Sequence, residues 1–321
     1  MGKFIIKRFI DLVPTIFVVA IIVFVITRMI PGDPASVMLG PQASVEDVEA
    51  LTEELGLNDP LYVQFFQYIS NLVRGDFGVS YSYNQPIVEL IMERFPNTLI
   101  LAVSALIIAF VIGVPAGIIA ASKQNSFLDY GVMLVSLIGV SMPIFWLGIM
   151  LVLYFSVNLG WFPATGMGSL DDGVISYLKH LILPSVTLAT IPMATFARIT
   201  RSSMLEVISQ DYIKTARAKG LSEFWVICKH AFKNALTPLL TVLGMQISMM
   251  LGGAVLTETI FSWPGMGRLI VDAIDKRDFI VVQGTVLFIA VIFVLVNLFV
   301  DIMYKVVNPR VNLSSSKGGS K

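Results

Sequence analysis

Six long apolar stretches constrain this chain more than anything else in it. They lie near Phe9–Ile30, Thr98–Ala121, Tyr130–Val157, Leu181–Phe196, Leu239–Thr257 and Val281–Tyr304. A bilayer core of roughly 30 Å takes about 20 helical residues, and its interior offers no water to satisfy exposed backbone groups. The pattern therefore predicts an all-α, polytopic membrane protein with six transmembrane helices. Composition agrees: 14% of residues are charged, against about 25% in soluble domains. The third stretch carries Pro143 and is expected to kink or tilt there. The fourth is short and carries Pro184 and Pro192, which a bundle tolerates where neighbouring groups satisfy the freed carbonyls. The first begins with Lys3, Lys7 and Arg8, as a secretory signal would. Its apolar run is too long for one, and no small-residue cleavage site precedes Pro31, so a retained helix is expected.

Basic residues orient the spans. The N-terminus is basic. The stretch Arg198–Pro238 holds Arg198, Arg201, Lys214, Arg217, Lys219, Lys229 and Lys233 against Glu206, Asp211 and Glu223. The tail adds Lys305, Arg310, Lys317 and Lys321. An even number of spans puts these three segments on one side, with the short Ser122–Asp129 turn, and that side is read as the cytoplasm. Pro31–Pro96 falls on the other side, with ten acidic residues and only Arg74 and Arg94 as basic ones.

Several chemistries find no support. The single cysteine, Cys228, excludes an internal disulfide framework and a thiolate cluster built by this chain alone. His180 and His230 stand in separate loops, and no HExxH pair exists. Ionisable residues are scarce in the span centres; Asp11, Asp301 and Arg28 lie near span ends. A proton relay needs such groups at depth, which argues against a stand-alone secondary transporter. There is no GxxxxGK[ST] phosphate loop, and Gly265-Met266-Gly267 lacks the strand and helix of a dinucleotide site. Trp263-Pro264-Gly265 reads as a turn at a helix end. No catalytic residue is assigned, no metal or cofactor is expected on this chain, and no nucleic-acid partner.

Three segments can carry function. Pro31–Pro96 is long for a bare connection; Glu46–Leu55 and Tyr62–Val73 have helical spacing, broken at Asn58-Asp59-Pro60 with Asn58 or Asp59 as a cap. A helical cap results, either bracing the bundle or receiving a soluble partner. Gly113 and Gly117 form a small-xxx-small pair suited to close helix packing within the chain. The polar stretch Asp211–Pro238 is basic, helical in spacing and interrupted by Gly220. Tyr212, Ile213 and Ala216 share a face. A second helical piece from Ser222 has Phe224, Val226, Ile227, Ala231 and Leu236 as its apolar complement. Two short helices around a glycine form an elbow that fits a partner's groove or lies on anionic lipid. The residues alone leave both readings open.

Gly220, with Ala216 before it and Asn234-Ala235-Leu236-Thr237-Pro238 after it, resembles the EAA loop of permease subunits of ATP-binding-cassette (ABC) importers. Thr215–Gly220 (TARAKG), Arg28–Pro34 (RMIPGDP), Asp59–Tyr62 (DPLY), Gly75–Gly78 (GDFG) and Phe261–Arg268 (FSWPGMGR) are similar to the dipeptide/oligopeptide/nickel branch. One departure is visible: Lys214 stands at the family's glutamate and Thr215 at its first alanine. The resemblance implies a type I importer permease fold. It divides the chain into residues 1–30, a cytoplasmic end and first span; 31–96, an extracytoplasmic cap; 97–308, a five-helix core with a coupling loop at 198–238; and 309–321, a cytoplasmic tail. It implies a second permease subunit, two ATPase subunits that bind ATP and Mg, and an extracytoplasmic substrate-binding protein, all at the cytoplasmic membrane of a bacterium or archaeon. Tyr212, Ala216, Arg217, Gly220 and Leu221 are then expected at the ATPase, with Tyr212, Ala216 and Leu221 as its apolar contacts. Asp171 and Asp172 are expected at the binding protein. Peptides are the expected cargo, with glutathione or a nickel chelate as alternatives within the branch.

Overall fold

A computed structural model describes residues 2–29, 34–40, 42–54 and 56–307. Residues 30–33 of the RMIPGDP run and the tail at 309–321 lie outside the described residues. The elements, in order, are α1 (Gly2–Met29), α2 (Pro34–Leu39), α3 (Val45–Glu54), α4 (Leu61–Val73), a two-stranded antiparallel ribbon of β1 (Val79–Ser80) and β2 (Gln85–Pro86), α5 (Ile87–Ser122), α6 (Phe127–Ser141), α7 (Ile144–Leu151), α8 (Val174–Ile208), α9 (Asp211–Ala218), α10 (Glu223–Trp225), α11 (Phe232–Ile260), α12 (Met266–Asp275) and α13 (Phe279–Val307). Stretches of π-helix extend α7 through Asn158 and join α10 to α11. Helices α1, α5, α8 and α13 are long and apolar enough to cross a membrane, and two bent pairs, α6–α7 and the two limbs of α11, bring the possible number of spans to six.

The spans depart from expectation in instructive ways. The third is not one kinked rod. At Met142 and Pro143 the chain turns through 103°, so α6 and α7 are separate helices. The fourth is not short. Helix α8 runs for 35 residues through Pro184 and Pro192, which are both buried. It continues to Ile208, so the polar connection begins at Ser209 rather than at Arg198. Helix α5 likewise starts at Ile87, ahead of the apolar run, and passes through Pro96. Periodicity marks the apolar part of a helix but not the polar turns that extend it.

The chain forms two compact units. The first comprises Met1–Leu99 and Ser262–Leu295. Its cap helices α3 and α4 fall where the spacing predicts. Ser44 caps α3, its hydroxyl accepting from Asp47 N at 3.1 Å and donating to the Asp47 carboxylate at 2.6 Å. The start of α4 is Pro60 without a side-chain cap, so neither Asn58 nor Asp59 plays that part. An aromatic seam joins α1 to α4, with the Phe24 and Phe65 rings 5.3 Å apart. The ribbon is fastened by Asp278, wholly buried, which accepts from Ser80 Oγ at 2.6 Å and Ser82 N at 3.1 Å. The expected turn at Trp263-Pro264-Gly265 is present. The Trp263 indole is buried and donates to Asn97 O at 3.0 Å, and Thr98 Oγ1 accepts from Met266 N at the start of α12.

The second unit comprises residues 100–261 and 296–307. Gly113 and Gly117 pack α5 directly on the backbone of α8. A Cβ on Gly113 would stand 2.4 Å from Met193 O, and one on Gly117 would stand 2.5 Å from Ala197 O. The pair thus serves packing within the chain, as expected.

Candidate coupling elbow

The end of α8 supplies the seat for the elbow. Ala121, Met204, Ile213, Ala216, Val226, Ala231 and Ala235 form one buried cluster, with Ile118, Ile227 and Phe232 packed against it. Positions 213 and 216 of α9 are three apart and so share the face that turns inward. Ala216 therefore does not stand at the surface as a partner contact. Its small side chain lets α9 approach the α8 end on the face it shares with Ile213, whereas Ala216 was expected among the apolar ATPase contacts with Tyr212 and Leu221. Tyr212, on the edge of that face, is 43% exposed. Its hydroxyl accepts from Asn234 Nδ2 at 2.8 Å, which ties α9 to α11.

Helix α9 ends at a left-handed residue. Gly220 has φ +78°, and its N–H donates to Arg217 O at 2.9 Å, while Lys219 N donates to Thr215 O at 3.1 Å. A glycine just past the last helical turn closes the helix without the strain a Cβ would add. Nothing lies within 4 Å of where that Cβ would be, so the requirement comes from the backbone and the outer side of the turn is open. Arg217 spans the turn and holds Glu223 with two bonds, Nε to Oε2 at 3.0 Å and Nη2 to Oε1 at 2.6 Å. That carboxylate raises the Arg217 guanidinium above its ordinary value. Both side chains are exposed, so the pair sets the angle of the elbow more than it adds stability.

The exposed face of the elbow carries Tyr212, Leu221, Phe224 and Trp225, the last two at 68% and 55% exposure. Phe224 was grouped with Val226, Ile227, Ala231 and Leu236 as the apolar complement of the second helical piece. Of that set Val226 and Ala231 are buried, while the short α10 and the π-helical turn after it leave Phe224 exposed beside Trp225. Trp225 does not fit an inward helical face, and that mismatch is the signal that could have marked it. Lys229 stands 5.8 Å over the Trp225 ring. The elbow thus presents exposed aromatic rings beside an open glycine turn, in a segment otherwise rich in lysine and arginine.

Asp171 and Asp172 lie elsewhere, exposed in the loop before α8. Asp171 N donates to Ser169 Oγ at 3.1 Å, which holds the loop in a local turn. The structure does not bring them together with the elbow residues. His180 contacts Ser176 O at 2.9 Å through Nδ1. Among the described residues no group of three His, Cys, Asp or Glu side chains is arranged to hold a metal.

Sequence reasoning also missed the ion pair of Asp129 and Arg201. Asp129, 1% exposed at the start of α6, takes two hydrogen bonds from Arg201 of α8, one of them from Nη2 at 2.7 Å. It also accepts from Asn125 N at 3.0 Å, and its own N–H meets the Ser126 cap. Arg201 counted in the sequence only as one of several basic residues. The signal available was an aspartate three residues after a capping serine.

Comparisons with known proteins place these features. Residues 113–313 match the family described as "Binding-protein-dependent transport system inner membrane component", and residues 1–102 match the corresponding N-terminal family. The chain is 48% identical to the "Dipeptide transport system permease protein DppB" of Alkalihalophilus pseudofirmus, covering 95% of this chain and 98% of that one. It is 43% identical to the "Glutathione transport system permease protein GsiC" of Escherichia coli K12, covering 97% and 99%. Inward-facing structures of the MetNI methionine ABC transporter share the fold at TM-scores of 0.54 and 0.55, with 18% and 21% identity, over 68% of this chain. The chain belongs to the binding-protein-dependent transport system inner membrane component family and is a multi-pass permease subunit of an ABC importer.

Proposed function

We propose that this permease carries short peptides, and that the elbow around Gly220 couples their passage to ATP hydrolysis on separate subunits. The observation that carries the coupling is the open, left-handed turn at Gly220, flanked by exposed Tyr212, Leu221, Phe224 and Trp225 and braced by Arg217 and Glu223. A rigid, partly apolar projection suits a groove in a soluble ATPase. Ala216 contributes from beneath, by seating α9. The assembly contains a second permease subunit, two ATPase subunits that hold ATP and Mg, and an extracytoplasmic binding protein that meets the loop containing Asp171 and Asp172. The N-terminus, the elbow and the tail face the cytoplasm, as the bias of basic residues supports. In domain terms, residues 31–96 form the extracytoplasmic cap and 97–308 the permease core.

The names of the 48% and 43% identical relatives support dipeptides as cargo and keep glutathione, itself a short peptide, as the second reading. Uptake into vesicles containing the assembly, ATP and binding protein separates them. Labelled dipeptide should accumulate, and excess glutathione should leave that uptake unchanged. Accumulation of glutathione with no dipeptide uptake would establish the second reading. Uptake of neither would overturn both.

A further inference from the structure

Helix α4 is amphipathic, and only part of its apolar arc is covered. At about 100° per residue, Phe65, Ile69 and Leu72 fall along the middle of that arc and are half-buried. Tyr62, Phe66 and Val73 form one edge of it and are 67%, 69% and 83% exposed. The opposite side of the helix is polar, with Gln67, Ser70, Asn71 and Arg74 all exposed. An apolar stripe rimmed by polar residues marks a surface that meets a protein or a membrane.

The aromatic seam sets the level at which α4 lies. The Phe65 ring stands 5.9 Å from Phe17 and 5.3 Å from Phe24 of α1, and Tyr68 stacks on Phe24 at 5.9 Å. Both α1 residues belong to the apolar, membrane-crossing segment Leu12–Met29. At 1.5 Å per residue, Phe24 is about 8 Å and Phe17 about 18 Å along the helix axis from Met29. Phe65 touches both, so its ring lies inside the hydrocarbon layer that α1 crosses. A cap held wholly in water would stand clear of that layer. A helix lying in the plane of the interface, with its apolar face about 5–10 Å past the headgroups, meets the geometry. Arg28 in the last turn of α1 and Arg74 at the C-cap of α4 are both exposed, and long cationic side chains at helix ends suit the headgroup level.

Two observations favour acyl chains over a protein at the bare edge. Ile21, Ile22 and Val25 of α1, at the same level, are exposed as well, so the stripe continues an apolar surface of a membrane span. Helices that meet inside a bilayer do so through small residues, as α5 meets α8 at Gly113 and Gly117. Tyr62, Phe66 and Val73 are large. We propose that α4 is an interfacial helix in the leaflet at the Met29 end of α1, with Tyr62, Phe66 and Val73 immersed in phospholipid acyl chains and Gln67, Ser70 and Arg74 turned to water. The helix then braces α1 from within the membrane, and its apolar stripe is not a surface for a soluble binding protein.

The full transporter assembly is reconstituted into liposomes of phosphatidylethanolamine and phosphatidylglycerol. In a Cys228→Ser background, nitroxide labels are placed one at a time through Tyr62→Cys, Phe66→Cys, Val73→Cys, Gln67→Cys and Ser70→Cys, with Ile22→Cys as the reference for a lipid-facing site. Collisions with molecular oxygen, which concentrates in the bilayer, are compared with collisions with water-soluble chromium oxalate. The ratio of the two at the stripe positions should approach that at Ile22→Cys and exceed that at Gln67→Cys and Ser70→Cys several-fold. Chromium oxalate collisions at the stripe as frequent as at Ser70→Cys put the stripe in water and overturn the proposal. Few collisions with either reagent mean that another protein, such as a second permease subunit, covers it, which also overturns it. The wild-type assembly supplies a measurement that needs no variant. In liposomes whose lipids carry an acyl-chain diazirine, illumination should leave adducts on Tyr62–Val73 as well as on Ile21–Val25. Adducts on α1 with none on α4 overturn the proposal.

Discussion

Asp129 and Arg201 stand 72 positions apart, and their pairing decides how the start of α6 is fixed to α8. The two members are not equivalent. Asp129 is 1% exposed, whereas the Arg201 side chain is 25% exposed. Removing Arg201 leaves a buried carboxylate with only backbone donors. Removing Asp129 leaves a guanidinium that can turn toward solvent. Breaking a buried pair costs about 3–5 kcal/mol, so Arg201→Ala should destabilise the purified assembly by that order and Asp129→Ala by clearly less. Thermal unfolding of both variants and of the double variant checks this. The double variant should be no less stable than Arg201→Ala alone, because the two losses are one interaction. Gly117 is a second residue that admits little change. A Cβ there would lie 2.5 Å from Ala197 O and 2.6 Å from the Thr200 Cβ, so backbone must move. Gly117→Leu should reduce the folded yield several-fold and lower the melting temperature by several degrees, whereas the same change at Gly131, where no atom lies within 4 Å, should leave both near wild type.

At the scale of elements, the elbow carries the sharpest expectation. Gly220→Val puts a β-branched residue at φ +78°. The left-handed region costs an L-residue roughly 1–2 kcal/mol, a factor of about 5–30 in the population of the correct turn. ATPase activity stimulated by loaded binding protein, and uptake, should fall together by about that factor while membrane insertion survives. Gly220→Asn, which tolerates this region and meets open space, should retain most of both activities. Normal coupling in the valine variant would remove the elbow from its proposed role. The elbow was legible because a glycine between two short helical patterns is a local signal. Which of its faces turns inward was not, since α10 and the π-helical turn shift the register that α-helical spacing assumes. The same limit hid the break at Pro143: a proline forecasts a kink, but its angle depends on packing that the sequence does not display. The length of α8 was hidden because its last turns are polar, and those turns are supported by the distant Asp129.

The molecule as a whole is organised by where its charge may stand. Membrane insertion leaves lysine and arginine on the cytoplasmic side, and this bias acts on short loops near span ends. The N-terminal and elbow segments carry that excess, whereas residues 31–96 carry ten acidic residues against two basic ones. Six crossings, the upper number the helices allow, put the N-terminus, the elbow and the tail on one side together. A loss of one of the first four crossings would put the elbow and the N-terminus on opposite sides, so sidedness tests that part of the count as well as the orientation. Cys228 is a built-in reporter, because it is the single cysteine, is exposed and lies within the elbow segment. In sealed right-side-out vesicles a membrane-impermeant maleimide should leave it unlabelled, and in inverted vesicles it should react. A Glu49→Cys reporter on α3, in a Cys228→Ser background, should give the opposite result. Glu49 is exposed and its change leaves the Ser44 cap untouched, so failure to fold is not expected to confuse the readout. Labelling of both sites from the same side would contradict the six-crossing arrangement and, with it, the placement of the elbow against a cytoplasmic ATPase.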